Sequence, residues 1–169
     1  MAKWRFANLV SMILPLASGA CNHPKPKLSD AQVQKLRADS PGITPACLEK
    51  IRLGGIEAMP DRTDQCFEMA PAKRWSGLCA DNFEARRFCP TPARECGSQT
   101  PRPAIWLSFA PGVRRDSIPT NRVYKIEFVG RRTLQQGSYG HMGMSEHEII
   151  VDRIISISPL IAGAQPQPR

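Results

Sequence analysis

The first twenty residues constrain the chain most, because they predict export and therefore an oxidising environment for its six cysteines. Two positive charges within Met1 to Arg5 precede an apolar run from Phe6 to Ala17, and small residues follow through Ala20. This order is typical of a bacterial secretory signal over residues 1–20. The run is short for a spanning helix and Pro15 interrupts it, so a retained anchor is only an alternative.

Cys21 follows the small residues directly. The run Ser18-Gly19-Ala20-Cys21 resembles the bacterial lipobox in its last three positions, whereas Ser18 stands where leucine is usual. The resemblance implies a lipid on Cys21 and, from Asn22, an outer-membrane lipoprotein that faces the periplasm. Asn22 to Lys27 is polar with two prolines, which predicts a lipid-anchored or flexible tether over residues 21–27. Acyl chains on one cysteine suffice for stable anchoring. A soluble periplasmic or secreted protein is the alternative.

The cysteines predict a disulfide-stabilised domain. Cys89 and Cys96 bracket a proline-rich turn that can return on itself, and they are the first predicted pair. Cys47 with Cys66 is the second predicted pair, which leaves Cys79 over. If Cys21 is not acylated, the even count allows three bridges instead. A zinc site is not expected, because paired Cys-x2-Cys or histidine spacings are absent from the sequence.

Residues 28–60 predict a short helical segment. Ser29 or Asp30 can cap a first helix that continues to Pro41. Thr44 can cap a second helix with Pro45 at its first position.

Residues 61–160 predict strands. A hairpin is expected from Arg74 to Cys79 and from Phe83 to Cys89, followed by a compact apolar strand from Ala104 to Phe109. Arg122 to Thr133 is the clearest strand, because Tyr124, Ile126 and Phe128 alternate with charged residues; Gly130 suggests a bulge within it. The last strand is expected from His147 to Ile157, with Ile149, Val151, Ile155 and Ile157 on one face.

Five strands behind two short helices predict a mainly β, α+β fold. Because a closed sheet removes exposed edges, the expected architecture is a small five-stranded OB-like barrel. An open sheet with helices on one face is the alternative. Residues 161–169 are polar and broken by proline, and they are expected to form a disordered tail.

The segment from Gly137 to Glu148 joins the two best strands and has three interpretations. Its glycines permit a tight connection that covers the barrel end. Alternatively, Tyr139, His141 and Met144 form part of a partner-binding surface. In the third interpretation, His141 and His147 bind a metal with Glu146 or Glu148, although their spacing is not a known ligand pattern.

Two runs in the chain carry a family resemblance. The run Tyr139-Gly140-His141-Met142-Gly143, with Glu148 to Ile154 after it, resembles the C-terminal strands of uncharacterised bacterial exported proteins and lipoproteins. Phe83 to Pro90 is similar to them as well. The resemblance implies no activity.

The net positive charge of the chain and the motifs that its sequence lacks limit the classes of function to be expected. The chain carries 23 Lys and Arg against 15 Asp and Glu, or +8, and loss of Lys3 and Arg5 leaves 21 against 15, or +6. Export argues against nucleic acid as the partner of this basic surface, and anionic envelope components remain possible partners. Neither a serine-nucleophile elbow nor a glycine-rich phosphate loop occurs, so neither an enzyme nor a cofactor is expected.

Three hypotheses follow from the sequence. The first is a non-enzymatic envelope lipoprotein that binds a protein partner through an apolar or aromatic patch at one barrel end. The second is a structural envelope protein held by lipid and charge. The third is a metal-binding or hydrolytic protein that uses His141 and His147. The first is the leading hypothesis.

Overall fold

The computed structural model describes residues 28–82, 86–97, 103–114, 118 and 122–160. The predicted signal over residues 1–20, the lipidation at Cys21, the tether over 21–27 and the tail over 161–169 lie outside these residues. Neither helix of the described residues has the length and apolar character needed to cross a lipid bilayer.

The N-terminal segment begins with two capped helices, as predicted. Helix α1 spans Asp30–Asp39, and a capping box joins Ser29 to Gln32 at its start. Helix α2 spans Pro45–Gly54, and the Thr44 hydroxyl accepts a 3.2 Å hydrogen bond from the Cys47 backbone. Single 3₁₀ turns follow at Ile56–Ala58 and Thr63–Gln65.

The Cys47–Cys66 disulfide, predicted from the sequence, holds α2 to the chain after the second 3₁₀ turn. Both cysteines are fully buried among Ile43, Leu48 and Ile51, which form a small core of their own. The bridge joins residues 19 positions apart and so reduces the conformational entropy of the unfolded chain. In the folded chain its sulfur atoms also fill part of this small core.

Five strands follow: β1 (Lys73–Asp81), β2 (Arg86–Pro90), β3 (Ile105–Phe109), β4 (Arg122–Arg132) and β5 (His147–Pro159). They form a closed barrel in the order β1-β2-β3-β5-β4. Strand β3 runs parallel to β5, and every other pair is antiparallel. The predicted small OB-like barrel behind short helices is therefore confirmed.

The barrel core follows the alternation read from the sequence. Tyr124, Ile126 and Phe128 of β4 point inward and are fully buried. The Phe88 and Phe128 rings meet edge to face at 5.2 Å between centroids. The remaining buried members of this core are Cys79, Ile105, Leu107, Ile149 and Val151.

The predicted inward face of β5 is wrong at Ile155, which is 37% exposed. Pairing with β4 skips one β5 residue between Glu127 and Phe128 and another between Val129 and Gly130. Each bulge shifts the strand by one residue and so exchanges its faces. Ile154 packs against the core instead, and Ile157 packs against it as predicted. The bulge predicted at Gly130 is present in the pairing of β4 with β5, between Val129 and Gly130.

The Cys89–Cys96 disulfide closes the predicted turn after β2. It packs with Leu78 and Ala80 on the outer side of the barrel wall. Cys79, which the two predicted pairs left over, is the free cysteine of the described residues, and the structure places it buried inside the barrel. Burial raises the pKa of its thiol to about 12, so the thiolate that thiol chemistry needs is disfavoured.

Candidate functional site

A cleft of about 600 Å³ lies on the outer side of β3, where the barrel wall is least complete. Strands β2 and β3 pair over two residues only, Arg87 with Trp106 and Phe88 with Ile105. Beyond these two pairs, no described residue pairs with β3 on that side. Asp81 and Asn82 line one wall of the cleft, and Trp106 and Ser108 of β3 line another.

Two connections reach this cleft from opposite ends of the barrel. The β1–β2 connection lies near the start of β4, because Asp81 pairs with Arg122. The β4–β5 loop leaves from the other end of β4 and returns to β3, where Glu146 donates a 2.8 Å backbone hydrogen bond to Ala104. The cleft is therefore on the flank of the barrel.

Glu148 supplies a buried charged group to the cleft. The residue is 6% exposed, and its carboxylate accepts hydrogen bonds from the Thr63 hydroxyl at 2.7 Å and from the Ser108 hydroxyl. Both donors are neutral, and the carboxylate has no salt bridge to any residue that the structure describes. Each hydroxyl occupies one carboxylate oxygen, so further acceptor sites remain, and no cation among the described residues compensates the negative charge.

Asp81 and Arg86 form the second charged feature. Asp81 is buried and accepts a 3.2 Å hydrogen bond from Nε of Arg86. The Arg86 guanidinium also lies 5.2 Å from the centroid of the Phe109 ring, which is a cation–π distance. Arg86 is thus held by two partners within the barrel, and its charge is balanced by Asp81.

Trp106 separates the cleft from a second depression of about 320 Å³. The indole lines both, and Met144 and Ser145 line the second. Gly140 packs on the indole so closely that a Cβ atom there would approach ring atoms to 2.5 Å. The glycine, at a φ of 71°, allows the β4–β5 loop to seat on the tryptophan.

The β4–β5 loop is itself hydrogen-bonded into a defined shape. Tyr139 and Ser145 exchange backbone hydrogen bonds of 2.7 and 3.0 Å, and the turn His141–Gly143 lies between them. Met142 within that turn has a φ of 52°, a conformation that non-glycine residues seldom adopt. Its side chain is 84% exposed, and that of Met144 is 61% exposed.

The structure separates the three predicted partner-surface residues. His141 is exposed at the edge of the cleft, and Met144 is exposed at the second depression. Tyr139 is 4% exposed, so its place on a partner-binding surface was wrong. Its ring packs edge to face on Phe67 at 5.2 Å, and its hydroxyl donates to the Gln135 carbonyl at 3.2 Å.

His147 also faces the protein rather than a ligand. Its Nδ1 lies 3.1 Å from the Thr133 hydroxyl. Burial, together with the nearby charge of Arg132, lowers the pKa of His147. Within the described ranges, no three His, Cys, Asp or Glu side chains come together as metal ligands, so His141 and His147 are not assembled into such a site there.

The sequence analysis missed Trp106, which stands in an apolar run interpreted only as a strand. It named His141 and Glu148, which also line the cleft, but gave Glu148 only as a possible metal ligand. The period of two was the available signal, because Trp106 and Ser108 alternate with the core residues Ile105 and Leu107.

Comparisons of the chain with protein-family models, with curated proteins and with solved structures found no match.

Proposed function

We propose that this chain is a non-enzymatic exported lipoprotein of the bacterial envelope that binds a protein partner beside Trp106. The binding region, called here the Trp106 surface, consists of Trp106, His141, Met142 and Met144. The observation that carries the proposal is the exposure of Met142 and Met144 on a hydrogen-bonded loop seated on Trp106.

The chemistry of these side chains suits contact with a protein. Methionine is apolar and adaptable, and tryptophan supplies a large rigid area; both types are enriched where proteins bind one another. Met142 is moreover presented in a strained conformation, and strain of this kind concentrates at functional positions. A loop that served only to join β4 to β5 would gain nothing from an exposed methionine there.

The position on the barrel supports the same conclusion. OB-like barrels bind ligands on the face of strands β2 and β3, between the β1–β2 and β4–β5 connections. The Trp106 surface lies at that place. Carboxylates of Asp61, Asp81 and Glu148 line the adjoining cleft, so polyanions such as nucleic acid or acidic envelope polymers are disfavoured there.

Export and lipidation form the other half of the proposal. Two disulfides agree with passage through an oxidising compartment. The lipid on Cys21 is proposed from the sequence alone, and it would place the barrel on the periplasmic side of the outer membrane.

Site-directed photo-cross-linking tests the partner. A benzophenone amino acid is placed at Met142 or Met144, and in a control at the exposed Lys125 of β4, and cells producing each variant are irradiated. We expect one discrete adduct from positions 142 and 144 and none from 125. The cross-linked partner, once purified, should bind the Met142→Asp/Met144→Asp variant more weakly. Equal adducts at all three positions, or none, would contradict the proposal.

Intact mass of the protein from fractionated cells tests the anchor. A membrane species that begins at Cys21 and carries acyl chains is expected. A soluble species without lipid would reject the lipoprotein assignment.

A further inference from the structure

The cleft beside Trp106 has a charge opposite to that of the chain. The chain is basic, at +8, whereas Asp61, Asp81 and Glu148 line this cleft. Among its described lining residues, Arg86 and His141 are the basic ones. Arg86 is paired with Asp81, and His141 is at the exposed edge. The cleft therefore presents a negative field to whatever enters it.

Glu148 gives the negative charge of the cleft a fixed position. Its carboxylate is held in one place by two hydroxyl donors, Thr63 from the 3₁₀ turn before β1 and Ser108 from β3. A buried carboxylate whose charge is not balanced by a cation is unfavourable. Two parts of the chain besides β5 itself hold this carboxylate in a cleft wide enough for a side chain, and a cation there would relieve the unbalanced charge.

We infer that the cleft receives an arginine side chain of the partner, an inference that rests on the proposed function. Guanidinium is planar and donates paired hydrogen bonds to carboxylates, which suits Glu148 with Asp61 at the edge. It also stacks on aromatic rings, and the Trp106 indole forms the adjoining wall. A lysine ammonium would match the charge but not the flat wall. A neutral sugar would use the indole and leave the carboxylate uncompensated.

The test uses the mature chain with its disulfides intact and N-acetyl-arginine methylamide as the probe, in the presence of a chelator. The uncharged isostere N-acetyl-citrulline methylamide is the matched control. Binding is followed by the NMR signal of the Trp106 indole, which is assigned from a Trp106→Phe variant. Trp75 is the internal reference, because its indole donates to the Gly130 carbonyl at another site.

The arginine probe should shift the Trp106 signal and bind about tenfold more tightly than the citrulline probe, which is the difference one charge-assisted contact supplies. The Trp75 signal should stay in place. Equal affinity for the two probes, or no shift at Trp106, overturns the inference. A shift caused by the neutral disaccharide chitobiose, with none from arginine, also overturns it and identifies a sugar site.

Substitutions in the cleft test whether arginine binding depends on the cleft's negative charge rather than on a change in folding. Glu148→Gln should weaken arginine binding by about tenfold. Because Glu148 is buried, the exposed Asp61→Asn variant provides a second measurement; it should weaken binding by about twofold at low salt without changing the melting temperature. Glu127→Gln, which removes an exposed carboxylate paired with Arg74 elsewhere, is the control and should bind as the parent does. Unchanged binding in both cleft variants overturns the inference.

The two proposals fail separately. If cross-links form at Met142 and arginine does not bind, the Trp106 surface stands and the arginine inference is wrong. If arginine binds and no cross-link forms, the cleft chemistry stands and the proposed partner surface is wrong.

Discussion

Gly140 lies against the Trp106 indole so closely that a Cβ atom on the glycine would stand 2.5 Å from Cδ2 of the ring. This contact fixes the β4–β5 loop over the outer face of β3. It thereby determines where Met142 and Met144 are displayed.

Gly140→Ala should displace this loop. Alanine at a φ of 71° and a ψ of −162° costs about 1–3 kcal/mol by itself, because this region is open essentially to glycine alone, and the clash with Trp106 adds to that cost. Gly112→Ala is the control for a positive φ without a clash, because Gly112 has a φ of 83° but nothing near its Cβ position. Denaturant unfolding should therefore show a larger loss for Gly140→Ala, together with a shifted Trp106 indole signal. An equal loss in both variants would show that the indole contact contributes nothing.

The two tyrosines should respond oppositely to loss of their hydroxyls. Tyr124 is buried in the barrel, and its hydroxyl has no hydrogen-bond partner among the described residues; the Cys79 thiol lies near it without hydrogen-bond geometry. Tyr124→Phe should therefore leave the free energy of unfolding unchanged or raise it by up to about 1 kcal/mol. Tyr139→Phe loses its bond to Gln135 and should lower it by about 1 kcal/mol. A marked loss in Tyr124→Phe would contradict this assignment.

The strands were predictable because their determinants are local. Alternation of Tyr124, Ile126 and Phe128 with polar residues is a property of one segment, and burial of one face follows from it. The β5 bulges are different, since they arise from pairing with β4, and pairing register is not written in β5 alone. Ile155 was therefore assigned to the wrong face.

The cleft could not be predicted because it too depends on contacts between segments that are distant in sequence. Trp106 and Glu148 are adjacent partners on β3 and β5, yet they lie far apart in sequence. The groups that surround them come from Thr63, in the N-terminal segment, and from Gly140, in the loop. Tyr139 was misplaced because its burial depends on Phe67, another distant contact.

Asp64 joins the N-terminal segment to the barrel. A substitution that removes its carboxylate should therefore destabilise the N-terminal segment and the barrel. Its largely buried carboxylate accepts hydrogen bonds from Arg62 at 3.0 Å and from Arg131 at 3.1 Å. Arg131 also pairs with Asp152 of β5 at 2.8 Å. Asp64→Asn should lower the free energy of unfolding by about 1–3 kcal/mol. Asp39→Asn, which breaks only an exposed pair with Lys35, is the matched control and should change little.

Lowering the pH should weaken the hydrogen bonds that the Asp64 carboxylate accepts from Arg62 and Arg131. Burial opposes ionisation of Asp64, but hydrogen bonds from Arg62 and Arg131 outweigh it and lower the pKa of this carboxyl. The contribution to stability is therefore present above the usual pKa and is lost as the pH falls through the lowered value. The parent should lose more stability than Asp64→Asn over that range. Parallel pH profiles would contradict the assignment.

His147 should make stability depend on pH in a higher range. Burial and the charge of Arg132 lower the pKa of its imidazole below the usual 6.5, so the folded chain favours the neutral form. The unfolded chain binds the proton more readily, and stability is consequently complete above about pH 6.5 and falls as the pH drops through the folded-state pKa. His147→Gln should flatten the melting-temperature profile in this range. Because Thr133 contacts Nδ1 of the ring, Thr133→Val tests whether that hydroxyl matters to the profile. An unchanged slope in His147→Gln would assign the pH dependence to another group.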